Sequence, residues 1–352
     1  MRRAGKMALI LRSLWAVTLL MAQACEQGND LQPLEPEYPY PEVYVPLADQ
    51  DVLARNRQGT AVVNGGYGAS MEAVPGEEGA FYMLTNRGPV AGGTGAGEKV
   101  FIAKRFNPHI AKFKLAGDSM RLVRKITLTM ATGEANGIPN PQVENMPGAG
   151  TTGEIALDTL GRIIEPSPNG IDPGGLAVAP DGSFWVSEEY GPSLIHFSSG
   201  GQLQEKLTPF EADPEKTALP AVFTRRRPHG GMSGLTMMPD GKTLAGIMES
   251  PLNNPDAGVG TASRNVRLLL LDPETGENAQ YIYRLLGTQT VVCEIQALDS
   301  TSFLVLERDA GFPGGTSAPG LYKHIYKIDI SGATDISDAE NRLTGKLING
   351  KT

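Results

Sequence analysis

The stretch Ile171–Pro192, IDPGGLAVAPDGSFWVSEEYGP, decides the fold class. Asp172-Pro173-Gly174-Gly175 is a turn signal that also carries a carboxylate. The apolar run Leu176–Ala179 follows. Pro180-Asp181-Gly182 then closes a tight hairpin, because proline presets φ and glycine accepts the positive φ that such a turn needs. A second strand, Phe184–Ser187, ends on Glu188 and Glu189, followed by Tyr190-Gly191-Pro192. One hairpin therefore has an acid at its entrance and two at its exit. Repeated around a centre, such hairpins would gather carboxylates into a site.

The unit does repeat. Pro239-Asp240-Gly241 lies 59 residues after Pro180-Asp181-Gly182, and each is preceded by Gly-Leu, at Gly175-Leu176 and Gly234-Leu235. The strand after the second turn ends on Glu249, as the first ends on Glu189. A third copy is Leu298–Arg308 (LDSTSFLVLER), and a fourth, more diverged, is Gly79–Pro89 (GAFYMLTNRGP). Each continues with a further strand, at His109–Leu115, Leu194–Phe197, Val266–Leu271 and His324–Ile330. A strand–turn–strand–loop–strand unit of this period predicts an all-β β-propeller. Four blades are visible, and the interval Lys125–Gly170, with Leu122–Met130 as a strand, leaves room for more. The expectation is six or seven blades, incomplete at the C-terminus, where the chain stops at Asn349–Thr352. Plentiful glycine (43) and proline (26), with no helical heptads, fit many short strands joined by turns.

Residues 1–24 read as a signal peptide: a basic region (Arg2, Arg3, Lys6, Arg12), an apolar core through Met21, and Ala22-Gln23-Ala24 as a small-x-small cleavage site. Cys25 stands where a lipoprotein carries its lipid, which would anchor the chain to a membrane of the cell envelope. Plain secretory cleavage after Ala24 is the alternative. Residues 25–46, rich in proline with Glu, Gln and Asp, read as an extended tether, and 47–352 as the folded domain. Cleavage removes four of the 31 basic residues and none of the 39 acidic ones, leaving a net charge of −12. So acidic a product excludes nucleic acid as a natural partner. Beyond Cys25 only Cys293 remains, in an apolar run, so no disulfide framework exists and a structural thiol is expected.

The segments TNRGP, FNPHIAKFKL, IDPGGLAVAPDGSFWVSEEYGPSLIHF, AVFTRRRPHGGMSGLTMMPDGKTLAGIMESPL, FLVLERD and HIYKIDISGATD, in that order, resemble the phytase-like esterase family. The resemblance runs from Gly65 to Asp335 and implies an exported bacterial β-propeller associated with phosphoester or ester hydrolysis. Three acids common in that family are absent: Gly174, Ser233 and Asn86 stand in their places.

Glu188 and Glu189, being successive in a strand, point to opposite faces. The candidate catalytic residues are Glu188, Glu189, Glu249 and His229. Asp172 with Glu189 would hold a hard cation such as Ca²⁺, which favours oxygen ligands. The basic cluster Arg225–His229 contains Arg226 and Arg227, whose guanidinium forks match phosphate oxygens and which fit the family pattern. Arg87 and Arg308 end equivalent strands and complete the expected substrate-binding set. His109, His196 and His324 fall in or beside outer strands, where structural roles are expected. No Gly-x-Ser-x-Gly elbow occurs, which disfavours a serine nucleophile. Two functions remain open: a metal-assisted envelope hydrolase of a small phosphorylated substrate, or a non-catalytic propeller that binds a ligand or protein.

Overall fold

The computed structural model describes residues 52–55, 59, 61–64, 66–142, 152–211, 213, 216–311 and 322–337. The signal peptide, the tether with Cys25, and the C-terminal end lie outside them. Four antiparallel meanders carry the fold. Sheet A is β1 (Ser70–Ala73), β2 (Ala80–Leu84), β3 (His109–Ala116) and β4 (Ser119–Thr127). Sheet B is β5 (Pro173–Val178), β6 (Phe184–Glu188), β7 (Ser193–Phe197) and β8 (Leu203–Leu207). Sheet C is β9 (Met232–Met237), β10 (Leu244–Met248), β11 (Asn265–Leu271) and β12 (Asn278–Arg284). Sheet D is β13 (Val291–Ala297), β14 (Ser302–Arg308) and β15 (Lys323–Asp329).

The repeated hairpins are therefore real, and the acid in each turn explains why they close. Asp181 Oδ1 accepts from Ser183 N, Asp240 Oδ1 from Lys242 N and Thr243 N, and Asp299 Oδ1 from Thr301 N and Ser302 N. Each side chain satisfies backbone donors that the turn leaves unpaired. Strand alternation then sorts β6 between two cores. Phe184 and Val186 pack with Leu84, Ile110 and Leu176 towards sheet A. Trp185 packs with Leu235, Leu244 and Ile247 towards sheet C. Both faces of β6 are buried, so at the hairpin's exit Glu188 is enclosed and Glu189, just past the strand's end, is the acid with solvent access.

The expected six- or seven-bladed propeller is not built. The described strands form seven separate sheets, of which only A to D are meanders. The others are two pairs of short strands and a three-stranded sheet in which Ile155–Leu157 runs parallel to Glu98–Phe101. Among the described residues, the interval expected to supply further blades, Lys125–Gly170, contributes the end of β4, the pair Thr129–Met130 and Gly133–Glu134, and the single strand Ile155–Leu157. No described sheet closes on itself, and no ladder between described strands joins D back to A. The all-β class stands; the ring is not closed because the described residues form the repeated unit four times and those of the interval do not adopt it.

The first strands of neighbouring sheets pack closely, β5 on β9 and β9 on β13. At Gly174 a β-carbon would lie 2.6 Å from the Ser233 carbonyl oxygen and 2.8 Å from Ser233 Cα, so close approach explains glycine where the family resemblance expects an acid nearby. Near the middle of these strands sits Glu294. Its Oε1 accepts from Ile295 N at 3.0 Å and Leu235 N at 3.4 Å, while its Oε2 is buried without a partner. Burial pushes Glu294 up to about 8, against a hydrogen bond from Ser70 and with the charge of Glu72 adding to the shift. Burial likewise pushes Glu72 up to about 7.

Glu294 thus holds its proton more tightly folded than unfolded. The stability it permits is complete below its ordinary value of 4.5 and falls as pH rises towards about 8. Glu294→Gln is expected to raise the unfolding free energy at pH 8.5 by on the order of 1–3 kcal/mol, with the gain shrinking at pH 5; denaturation across pH checks this, and a pH-independent difference would contradict it. Gly174→Asp is expected to destabilise by about 2 kcal/mol or more through overpacking against Ser233, read as a lowered midpoint in urea.

Candidate functional site

Successive hairpins deliver equivalent residues to one rim. Pro173 pairs with Glu188, Met232 with Met248, and Val292 with Glu307. Glu189, Glu249 and Arg308 are therefore equivalent, each at a second strand's exit. Backbone hydrogen bonds link the exits in series. Glu189 N donates to Asp172 O at 2.9 Å, Gly231 N to Glu189 O at 3.0 Å, Glu249 N to Gly231 O at 3.0 Å and Val292 N to Glu249 O at 2.9 Å. Gly231 must lack a side chain there, since a β-carbon would lie 2.6 Å from the carbonyl oxygens of both Glu188 and Glu189.

Above this rim lies a pocket of about 380 Å³ lined by Arg87, Asp172, Glu189, His229, Glu249, Cys293 and Arg308, among others. The loop after the short 3₁₀ turn Ala221–Arg225 brings in His229. Arg226 anchors that loop, its Nε and a terminal nitrogen donating to Tyr190 O at 2.9 and 2.6 Å. Gly230 N bonds Arg227 O, and the tight turn puts His229 at φ 52°, unusual for a residue with a side chain and costly by about 1 kcal/mol. The ring it presents is gripped from both sides. His229 Nε2 lies 2.7 Å from Asp172 Oδ2, and Nδ1 lies 3.3 Å from Glu154 Oε1. Arg87 holds the same two acids: its Nε is 3.2 Å from Asp172 Oδ2, its backbone N donates to Asp172 Oδ1, and its terminal nitrogens bond Glu154 through both oxygens. The Tyr190 hydroxyl, donating to Gly137 O at 2.5 Å, also accepts from Arg87.

These contacts set the charges. Burial disfavours imidazolium, but hydrogen bonds to Asp172 and Glu154 outweigh it and push His229 up to about 10. Burial also opposes the charge of Glu154, yet its bonds from His229 and Arg87 pull it down to about 2. Glu189 is different. Burial, then the charges of Asp172 and Glu249, drive it well above the usual carboxylate range, with His229 only partly compensating. Burial raises Glu249 too, against the charges of His229 and Arg308. Neither carboxyl accepts a hydrogen bond from a described residue, whereas Glu154 and Asp172, 7% and 6% exposed, are saturated.

One donor atom each from Asp172, Glu189 and His229 lies within 4.8 Å of the others, a group able to coordinate a divalent cation. His229 Nε2 is 3.7 Å from Glu189 Oε2. The site thus brings together Asp172, Glu189, Glu249, His229, Arg87 and Arg308. Glu188 stands apart: fully buried, it accepts from Asp172 N, Tyr190 N, Gly191 N and Ser193 Oγ and so ties the hairpin's exit to its entrance. Arg226 is spent on Tyr190, and Arg227 donates to Gly260 O. Glu307, equivalent to Glu188, accepts from Tyr283, Leu286 N and Thr290. Arg308 Nε bonds Cys293 Sγ at 2.9 Å, and burial raises that thiol. Sequence reasoning missed Glu154, which lies in the interval assigned to further blades; its sole signal is an isolated acid immediately before the short apolar strand Ile155–Leu157.

Comparison with known proteins adds a family. An "Uncharacterized secreted protein" of Arthroderma benhamiae is 29% identical over 246 residues, covering 58% of this chain and 46% of that one. The chain thus spans less than half the length of that relative. Among solved structures, a protein from Lactobacillus plantarum is 15% identical, covering 80% of this chain and 75% of its own (TM-score 0.32). Virginiamycin B lyase from Staphylococcus aureus is 12% identical, covering 79% and 76% (TM-score 0.30). Similarity at that level assigns no fold. The family described as "Phytase-like: Esterase-like activity of phytase" matches residues 105–349, most of the chain, and this protein belongs to it.

Proposed function

We propose that the chain is an exported hydrolase of small phosphoesters, acting with a divalent cation in the rim pocket. The observation that carries this reading is the meeting of Asp172, Glu189 and His229 beside Glu249 and Arg308 at the same rim, where neither Glu189 nor Glu249 accepts a hydrogen bond from a described residue. Family membership supports ester hydrolysis, and the basic, then apolar N-terminal segment supports export, as does the word "secreted" in the name of the fungal relative.

Each residue has work to do in such a reaction. Glu189 and Glu249 share one pocket under conditions that resist ionising both, so one holds a proton for the leaving oxygen while the other is free to accept one from water. Arg308 would meet the phosphoryl oxygens, and Arg87 holds Asp172 and Glu154 in position. Asp172 and Glu189 would hold the cation, and His229 would join them only on giving up the proton it holds between Asp172 and Glu154; the cation would polarise the phosphoryl oxygen. The imidazole donor suits Mn²⁺ or Zn²⁺ at least as well as Ca²⁺. Arg226 and Arg227 fit loop-anchoring roles better than phosphate binding, and Glu188 fits a scaffold role.

A second reading, non-catalytic ligand binding, is favoured by one observation. Asn86, Gly174 and Ser233, the neutral residues at family acid positions, all line this pocket.

Assays separate the two. Full-length protein is expected to turn over p-nitrophenyl phosphate or phytate, with the rate lowered 10²–10⁴-fold in Glu189→Gln and Glu249→Gln. Absence of turnover on phosphoesters and carboxyl esters alike, with or without added cation, would sink the enzyme. Mn²⁺ or Zn²⁺ is expected to stabilise the fold by about 2.7 kcal/mol at a hundredfold excess over Kd, read as a raised Tm, and Asp172→Asn to abolish the shift; an equal shift in the variant would place the ion elsewhere.

A further inference from the structure

A larger cavity, about 680 Å³, opens at the other end of the same strands, between sheets B and C. Its size falls within the roughly 300–1,000 Å³ of small-molecule sites. Trp185 lies near the start of β6 and Glu189 follows its end, so the two are separated by four residue steps of strand, about 13 Å. Nothing in the proposed hydrolysis uses the second one.

The cavity's donors and acceptors form an unusual set. Trp185 is only 4% exposed and is pinned by stacking on His196, with ring centroids 4.3 Å apart and planes 6° from parallel. Its indole N–H has no acceptor among the described residues, so Trp185 brings an unspent donor to the cavity it lines. His196 is fixed as well. Ser183 Oγ lies 2.6 Å from Asp181 Oδ1 and 2.8 Å from His196 Nε2. With the hydroxyl proton directed to the carboxylate, Nε2 donates to Ser183 and Nδ1 is left an acceptor. Burial lowers His196, which keeps it neutral. Glu205, cross-strand neighbour of His196, and Glu274 add carboxylates, while Pro180 and Met237 supply apolar wall.

We infer that this cavity binds a neutral polyhydroxylated ring, a saccharide or related polyol. The four carboxylates lining it, against the single Lys242, repel a phosphorylated ligand. A simple cation would suit the acids but offers no acceptor to the Trp185 N–H. A hydroxyl does both at once: its oxygen accepts from the indole while its proton goes to a carboxylate or to His196 Nδ1. An apolar ring face against proline and methionine completes the match. The cleft would tether the enzyme to a glycan while the rim pocket, if the hydrolase reading holds, works on a separate molecule.

Trp15 and Trp185 are the two tryptophans of the sequence, so a Trp15→Phe protein reports on the cavity by fluorescence alone. Titration with maltotriose, cellotriose and chitotriose is expected to give a saturable change with at least one, and Glu205→Gln, at an exposed position, to weaken it about tenfold. Trp185→Phe, read by calorimetry, is expected to lose affinity likewise while the fold, checked by circular dichroism, is retained. No saturation with any of the three sugars overturns the inference. So does saturation by putrescine alone, or unchanged sugar affinity in Glu205→Gln combined with Glu274→Gln. None of these readouts involves hydrolysis, so the two proposals stand or fall separately.

Discussion

The series of backbone hydrogen bonds from Asp172 through Glu189, Gly231 and Glu249 to Val292 is the constraint on which the site depends. It joins three sheets at the places where one strand ends and the next hairpin begins. Each link uses main-chain atoms. Three neighbouring side chains and one glycine of the series keep it in place. Glu188 closes the exit of one hairpin onto its entrance, Glu307 does the same in sheet D, Arg226 holds the loop to Tyr190, and glycine at 231 lets two carbonyls approach.

On that frame the electrostatics divide into two halves. Arg87 and His229 saturate Asp172 and Glu154, giving a rigid, ion-paired cluster. Glu189 and Glu249 border it, partly buried and mutually repelled, and the charge of His229 only partly offsets the burial that favours their protonation. A low-dielectric pocket that holds both ionised and proton-bearing carboxyls is suited to moving protons, and it is the contrast between the halves, more than any single residue, that gives the pocket its chemical potential.

The sequence made the hairpins legible because their signals are local: Pro-Asp-Gly turns, alternating apolar residues, acids at strand ends. Glu189, Glu249 and Arg308 could be aligned by spacing alone, and they meet. Closure of a ring was not legible, since it depends on whether Lys125–Gly170 repeats the unit, and that stretch forms a parallel pair and short strands instead. The division of labour within Glu188-Glu189 and Arg226-Arg227 was also hidden. Opposite faces follow from strand geometry, but which face is core depends on neighbours distant in sequence. Glu154 escaped for the same reason, its partners Arg87 and His229 being 67 and 75 residues away.

The strand-exit position has a further meaning. It carries Glu in sheet B, Glu in sheet C and Arg in sheet D, while the backbone beneath it hardly changes. The fold therefore treats it as a socket, in which charge can be exchanged without disturbing the structure. A lineage built on this scaffold can move between opposite ligand preferences by single substitutions at three places. Neutral residues at Asn86, Gly174 and Ser233 mark the opposite case at Gly174, where the packing of β5 on β9 removes the freedom the exits enjoy.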